Sequence, residues 1–264
     1  MTDRYAVVGN PIAHSRSPQI HAAFARATRQ DIEYDRIEAP PGGFARAADE
    51  FRAAGGKGLN ITLPFKADAF RYCTDVSGRA GAAGVVNTLL FGGQTYGDNT
   101  DGVGLVRDLS SHLGFDLRGS SILLLGAGGA AQGVIPELLG SGARGVTVAN
   151  RTADRAKELA ARFPGVAVCS FDELSRASDV VINATSAGLA GESPALPDAV
   201  WRGARLAYDM VYGRDTPFLA KARAAGVAAH DGLGMLVEQA AESFFLWRNV
   251  RPDTRSVLAA MRAA

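Results

Sequence analysis

The chain has 264 residues, 47% hydrophobic and 21% charged, with a formal net charge of +1. That is ordinary globular composition, enough for one large domain or two small ones. It excludes several classes: no basic run offers a footprint for nucleic acid, no apolar stretch reaches the roughly 18–20 residues of a membrane span, and the short apolar run after Arg4 is no signal-peptide core. Two cysteines, Cys73 and Cys169, stand far apart; they read as reduced, cytoplasmic and structural, with no metal site.

In chain order, residues 5–8 read as a strand. Residues 18–27 read as a helix, with Ser17 as its N-cap and Pro18 in its first position. Residues 32–37 form a predicted strand, and 44–54 a helix stopped by Gly55-Gly56. Residues 59–63 alternate apolar and polar, so one face of a strand is buried there and the other carries Asn60 and Thr62. Pro64 stops that strand. Residues 85–91 and 94–96 flank Gly92-Gly93, which predicts a two-residue hairpin. Strands alternating with helices imply a mainly parallel sheet covered by helices.

From residue 120 the pattern is more regular. Residues 122–125 are apolar throughout, as in a strand buried on both faces. Five further strands, at 146–149, 166–168, 180–183, 206–210 and 227–229, alternate with helices at 130–139, 153–163 and 216–225. Six short strands make one nucleotide-binding sheet. Residues 233–247 and 255–263 read as two closing helices, and 99–113 as the connection between two parts.

The first functional signal is Gly126-Ala127-Gly128-Gly129-Ala130-Ala131, a G-x-G-x-x-A turn between strand and helix. Gly126 permits the turn, Gly128 lets backbone approach a pyrophosphate, and Ala131 lets the helix pack on the sheet. The helix start offers free N–H groups to an anion. The next strand ends in Asn150-Arg151-Thr152, with Arg155 one turn on. An acidic residue there would favour NAD, whereas a guanidinium suits a 2′-phosphate, so the expected cofactor is NADP (NADPH). The plain alternative for Arg151 is a surface arginine at a helix start, an unfavourable place for a cation. Thr185, Ser186, Val211 and Tyr212 follow apolar strands and are placed to line the cofactor, or are ordinary loop residues.

The second signal is a set of hydroxyls and amides with one amine and one carboxylate. It comprises Ser15 and Ser17, then Asn60, Thr62 and Lys66, then Asn87 and Thr88, then Asn99, Thr100 and Asp101. No metal-ligand spacing and no G-x-S-x-G elbow accompany it. It suits a small polyhydroxylated acid, and Lys66 with Asp101 is its one proton-transfer pair. Asp101 and the two serines have an alternative use as helix caps, and Gln239 as a solvated helix position.

Together these residues resemble the shikimate/quinate dehydrogenase family. The matching pieces are HSRSP at 14–18, NITLPFK at 60–66, VNT at 86–88, GDNTDG at 97–102, GAGGAA at 126–131, NRT at 150–152, NATSAG at 183–188, DMVY at 209–212 and DGLGMLVEQA at 231–240. They occur in the family's order over nearly the whole chain. Residues 83–86 depart slightly, which predicts altered packing before Asn87.

The resemblance implies an N-terminal α/β substrate domain (1–100, with a C-terminal return at 236–264), a doubly wound Rossmann-type NADP domain (101–235) and a cleft between them. It implies reversible reduction of 3-dehydroshikimate to shikimate, within aromatic amino-acid and chorismate biosynthesis. Ser15 and Ser17 would hold the substrate carboxylate, with Tyr212 near it. Asn60, Thr62, Asn87, Asp101 and Gln239 would hold hydroxyls, and Lys66 and Asp101 would be catalytic. Gly232 and Met235 join the cofactor residues. The expected assembly is a monomer or homodimer. Two rivals stand beside this: a quinate or dual quinate/shikimate dehydrogenase, and a non-catalytic NADP or metabolite sensor, which would not need the Lys66/Asp101 pair.

Overall fold

The computed structural model describes residues 2–175 and 178–263. Its chain forms two compact units: one takes the sequence to Gly104 and again from Leu236, the other is Leu105–Met235. Both are α/β, and the second is the doubly wound sheet expected from the sequence.

The first unit contains β1 (Asp3–Gly9), α1 (Ser17–Thr28), β2 (Ile32–Glu38), α2 (Phe44–Ala53), β3 (Gly56–Ile61), α3 (Lys66–Tyr72), β4 (Asp75–Val76), α4 (Gly78–Ala83), β5 (Thr88–Phe91) and β6 (Thr95–Asp98). The sheet order is β2-β1-β3-β5-β6-β4. β2, β1 and β3 run parallel, and β5 pairs antiparallel with both β3 and β6.

Alternation on the strands divides the packing. Ala6, Val8, Leu59, Ile61 and Leu89 meet Phe44, Ala48 and Phe51 of α2 and Ala69 of α3 in one core. Tyr5 instead stacks on Trp247, with ring centroids 4.5 Å apart. The Trp247 indole N–H donates to the Leu89 carbonyl at 2.9 Å. A Cβ at Gly58 would lie 2.5 Å from both that carbonyl and the indole nitrogen, so only glycine admits the tryptophan.

The connecting helix α5 (Asp101–Arg107) is followed by a π-helical turn at Asp108–His112. The second unit then has β7 (Ser121–Leu125), α6 (Gly129–Gly140), β8 (Gly145–Ala149), α7 (Ala153–Arg162), β9 (Val166–Cys169), β10 (Val180–Asn183), β11 (Leu206–Asp209), α8 (Pro217–Ala224) and β12 (Ala228–Asp231). All its strands are parallel, in the order β12-β11-β10-β7-β8-β9. The apolar strands are buried on both faces. Ile122, Leu124, Val180 and Ile182 pack with Val134, Ile135 and Leu138 of α6, while Leu123, Leu125 and Val181 pack with Phe218 and Leu219 of α8. Helices α9 (Leu233–Arg248) and α10 (Thr254–Ala263) close the chain. Among the described residues, no helix is long and apolar enough to cross a membrane.

Several local expectations are corrected. Ser17 is the first residue of α1 and not its cap; Arg16 occupies the cap without a side-chain bond. The strand through Asn60 stops at Ile61, because a turn closes from the Phe65 N–H to the Thr62 carbonyl at 3.0 Å. The strand expected from residue 85 begins at Thr88, and its hairpin turns through Gly92, Gly93 and Gln94, since Phe91 pairs with Thr95. Helices α3 and α4 appear where no helix was expected; each is only a turn or two long and is held by packing rather than by pattern.

Candidate active site

The chemistry of the first unit begins at the turn after β3. It ends in Phe65, and Lys66 is the first residue of α3. The Lys66 carbonyl accepts from the Val86 N–H at 3.0 Å, which ties the start of α3 to the segment entering β5. An ammonium at a helix N-terminus opposes the macrodipole, and here it meets a carboxylate: Lys66 Nζ forms an ion pair with Oδ2 of Asp101. Their side chains are only 13% and 7% exposed, so solvent screens the pair weakly.

Asp101 opens α5, and its peptide N–H donates to Asn99 Oδ1 at 3.1 Å. Its other carboxylate oxygen accepts from Asn87 Nδ2 at 2.9 Å. The Asn87 amide also reaches Thr100 Oγ1 at 2.9 Å and Gln239 Oε1 at 3.3 Å. Gln239 is therefore buried against the network, not a solvated helix position. Asn60 donates to the Asn87 carbonyl at 3.2 Å and to Ser243 Oγ at 2.9 Å. The polar face of β3 is thus covered by α9 and not by water.

Ser15 and Ser17 lie together before and within the first turn of α1. Ser15 Oγ donates to Ser17 Oγ at 3.2 Å and accepts the Ser17 N–H at 3.3 Å. Arg36 grips the Ser15 carbonyl with Nε at 3.0 Å and a second nitrogen at 2.5 Å. Ser15, Ser17, Asn60, Lys66, Asn87, Asp101 and Gln239 all belong to this unit. Thr62, half-buried beyond the strand, joins none of these hydrogen bonds.

Sequence reasoning passed over three residues of this network. They are Tyr34, Arg36 and Ser243. Tyr34 and Arg36 sit on alternate positions of the edge strand β2, a pattern that reads as solvated. Ser243 lies one turn after Gln239, and that spacing was the available signal.

In the second unit, Gly126 has φ +104°, and a Cβ there would also press on Thr185 and Ala184 within 3.3 Å. Gly126 donates to the Ala149 carbonyl at 2.8 Å, joining the ends of β7 and β8. Gly128 caps α6 in extended conformation, Gly129 and Ala130 form its first turn, and Ala131 is fully buried against the sheet. A cavity of about 300 Å³ is lined by Ala127, Gly128, Gln132, Arg155, Leu159 and their neighbours on α7. Arg155, Glu158 and Arg162 line it from α7, whereas Arg151 and Thr152, exposed like Arg155, lie at the end of β8 and do not line it. The Asn150 amide donates to the Thr152 carbonyl at 2.9 Å, shaping that corner.

Thr185 donates its hydroxyl to Asn183 Oδ1 at 2.7 Å, and Asn183 donates to the buried Asp209 at 3.2 Å. Asp209 also accepts from the Val211 N–H at 3.1 Å and from Thr216 Oγ1 at 2.6 Å. Burial raises its carboxyl against the lowering effect of those donors. These two strand-end residues set the loops that carry Thr185, Ser186, Val211 and Tyr212. Tyr212 is half-buried and Ser186 exposed. Gly232 packs on the Met210 backbone, and Met235 sits in the core with its N–H donating to Tyr208 Oη at 3.2 Å. The cradle, the positive helix start and the two guanidinium groups of Arg155 and Arg162, beside the Glu158 carboxylate, fit a dinucleotide phosphate. Among the described residues, no cluster of His, Cys, Asp and Glu fits a metal ion.

The sequence and the fold recur in known proteins. Residues 7–89 match the model of the shikimate dehydrogenase substrate-binding domain, 108–190 that of shikimate/quinate 5-dehydrogenase, and 232–262 that of the shikimate 5′-dehydrogenase C-terminal domain. A shikimate dehydrogenase (NADP(+)) of Aromatoleum aromaticum is 56% identical over 270 residues, covering 98% of this chain and 97% of that one. The crystal structure of an Ael1 enzyme from Pseudomonas putida superposes with TM-score 0.93 at 44% identity, covering 98% of both chains. Shikimate 5-dehydrogenase from Thermus thermophilus, crystallised with NADP(H) and shikimate, superposes with TM-score 0.90 at 35% identity over 99% of each chain. With three family models spread along the sequence and relatives of this identity over full length, the chain belongs to the shikimate dehydrogenase family.

Proposed function

We propose that the chain is an NADP-dependent shikimate dehydrogenase, an oxidoreductase that reversibly reduces 3-dehydroshikimate to shikimate in the shikimate pathway. The observation that carries this reading is the Lys66–Asp101 ion pair, held among amides and hydroxyls in a chain of this family.

When bound, NADPH supplies a hydride, which leaves the protein to place the ketone and provide one proton. Gly126, Ala127, Gly128, Gly129, Ala130 and Ala131 would cradle the pyrophosphate. Arg155, with Asn150, Arg151 and Thr152, would take the 2′-phosphate, and Thr185, Ser186, Val211, Gly232 and Met235 the remainder. Ser15 and Ser17 hold the substrate carboxylate, with Tyr212 beside it. Asn60, Thr62, Asn87, Asp101 and Gln239 orient the ring hydroxyls. The Lys66–Asp101 pair holds the proton that the carbonyl oxygen takes as it becomes a hydroxyl, and returns to the same state by taking one from water.

Its partners are small molecules, shikimate or 3-dehydroshikimate and NADP, and the working unit is a monomer or homodimer. A cytoplasmic place suits the two unpaired cysteines, Cys73 and Cys169; burial pushes the Cys73 thiol up to about 11. The test is absorbance at the NADPH band with shikimate or quinate and with NADP or NAD. Turnover of shikimate with NADP supports the reading. Equal or greater turnover of quinate would make the enzyme a quinate or dual dehydrogenase, and no turnover with any pair would sink it.

A further inference from the structure

We infer that Tyr34, on the edge strand β2, is a positioning residue that sets the substrate-reading amide of Asn60. The inference rests on the function proposed above.

The directions of the hydrogen bonds follow by elimination. Asn60 Nδ2 lies 3.2 Å from the Asn87 carbonyl, which can only accept. That fixes the amide nitrogen on the Asn87 side and leaves Asn60 Oδ1 facing Tyr34 Oη at 2.7 Å. An amide oxygen only accepts, so the phenol must donate. Burial holds the Tyr34 phenol well above its ordinary value, which keeps that proton in place. One ordered chain therefore runs from Tyr34 through Asn60 to the Asn87 backbone.

The ring itself is fixed from behind. It stacks on His21 with centroids 4.1 Å apart and planes 6° apart. His21 is fully buried, and neither of its ring nitrogens has a partner in hydrogen-bonding geometry. The imidazole thus serves as a flat apolar plate. A phenol clamped in this way cannot follow a drifting amide, so the amide follows the phenol. Without the hydroxyl, Asn60 Oδ1 is a buried acceptor lacking its donor, and the side chain gains by turning elsewhere.

The experiment compares the intact protein with Tyr34→Phe, Asn60→Ala and the double variant. Phenylalanine keeps the stack on His21, and a melting curve with the NADP dissociation constant reports whether each variant is folded. Tyr34→Phe is expected to raise KM for shikimate about fivefold to thirtyfold, the worth of one hydrogen bond to a buried amide. Its kcat should stay within about threefold, and NADP affinity should not move. In the Asn60→Ala background the same change should add less than about threefold, because both residues act through one contact. An unchanged or lowered KM in folded Tyr34→Phe, or losses that multiply in the double variant, would overturn the inference while the parent enzyme stays active. If the parent protein itself fails to oxidise shikimate with NADP, the reading beneath the inference falls instead.

Discussion

Asn87 donates its side-chain amide to Asp101 Oδ1 at 2.9 Å, while its own Oδ1 accepts the peptide N–H of Thr100 at 2.9 Å. A peptide N–H only donates, so the backbone fixes which way the amide points. Asp101 therefore meets an N–H on one oxygen and the Lys66 ammonium on the other. The two members of the pair have few other ways to turn.

Lys66→Ala should fold, because the core contacts of this turn come from Ile61 and Phe65. It should lose kcat by about 10²–10⁴, the usual worth of a placed acid or base. Asp101→Ala should fall comparably, and the double variant should lose far less than the product. Steady-state rates of the four proteins decide it. A near-normal kcat in Lys66→Ala would reduce the lysine to a helix-start residue.

Arg155 lines the cavity beside the glycine turn and Arg151 does not. Each should matter for NADP and hardly for NAD, with Arg155→Ala the larger: about tenfold to a hundredfold in dissociation constant, the scale of a charged hydrogen bond. Titration of both variants with both cofactors checks this. Equal losses for NAD and NADP would mean that the arginines act through structure.

Ser15→Ala and Ser17→Ala should raise KM for shikimate and leave NADP binding alone. Ser17 is not a helix cap, so its variant should not suffer the ~1 kcal/mol loss typical of a removed cap. A lower melting temperature with unchanged KM would contradict both statements.

Burial pushes His21 down to about 3, against a smaller raising effect from Asn60. Its folded value lies below the unfolded one, near 6.5, so the neutral ring favours the fold. That stability is fully present above about pH 6.5. It is lost as pH falls towards 3, by up to about 1.4 kcal/mol per pH unit. Urea melts at pH 7 and pH 4.5 should show the loss, and His21→Phe should shrink it. Equal pH dependence in the variant would assign the effect to other groups.

Gly58→Ala should destabilise by at least about 1–3 kcal/mol, since the new methyl meets a backbone carbonyl and the Trp247 ring. Thermal melting measures it, and an unchanged midpoint would mean that α9 can shift away from β3.

The Rossmann-like sheet was legible because its strands are buried on both faces and its glycine turn falls between a strand and a helix. Residues 122–125 are apolar throughout, and the sheet places them at its centre. Lys66 and Asp101 were legible as the only amine and carboxylate in a set of neutral polar groups. Helices α3 and α4 were not, because elements of seven and six residues carry too little periodicity. Tyr34 was hidden by its strand: β2 alternates half-buried with exposed residues, a pattern shared by any solvated edge. Its role appears only when α1 and β3 are brought beside it, and no local window contains all three.

The polar network of the first unit draws on both ends of a discontinuous stretch of sequence: Asn60 and Asn87 meet Ser243 and Gln239 of α9. A ribosome making this chain completes every strand of the parallel sheet before it adds Gln239 or Ser243. The second unit thus has all its residues in hand while the amides of the first still lack their partners on α9. Nascent chains stopped near residue 235 should acquire the nucleotide fold without the catalytic one. Synthesis itself therefore sets the order in which the two halves of the enzyme mature.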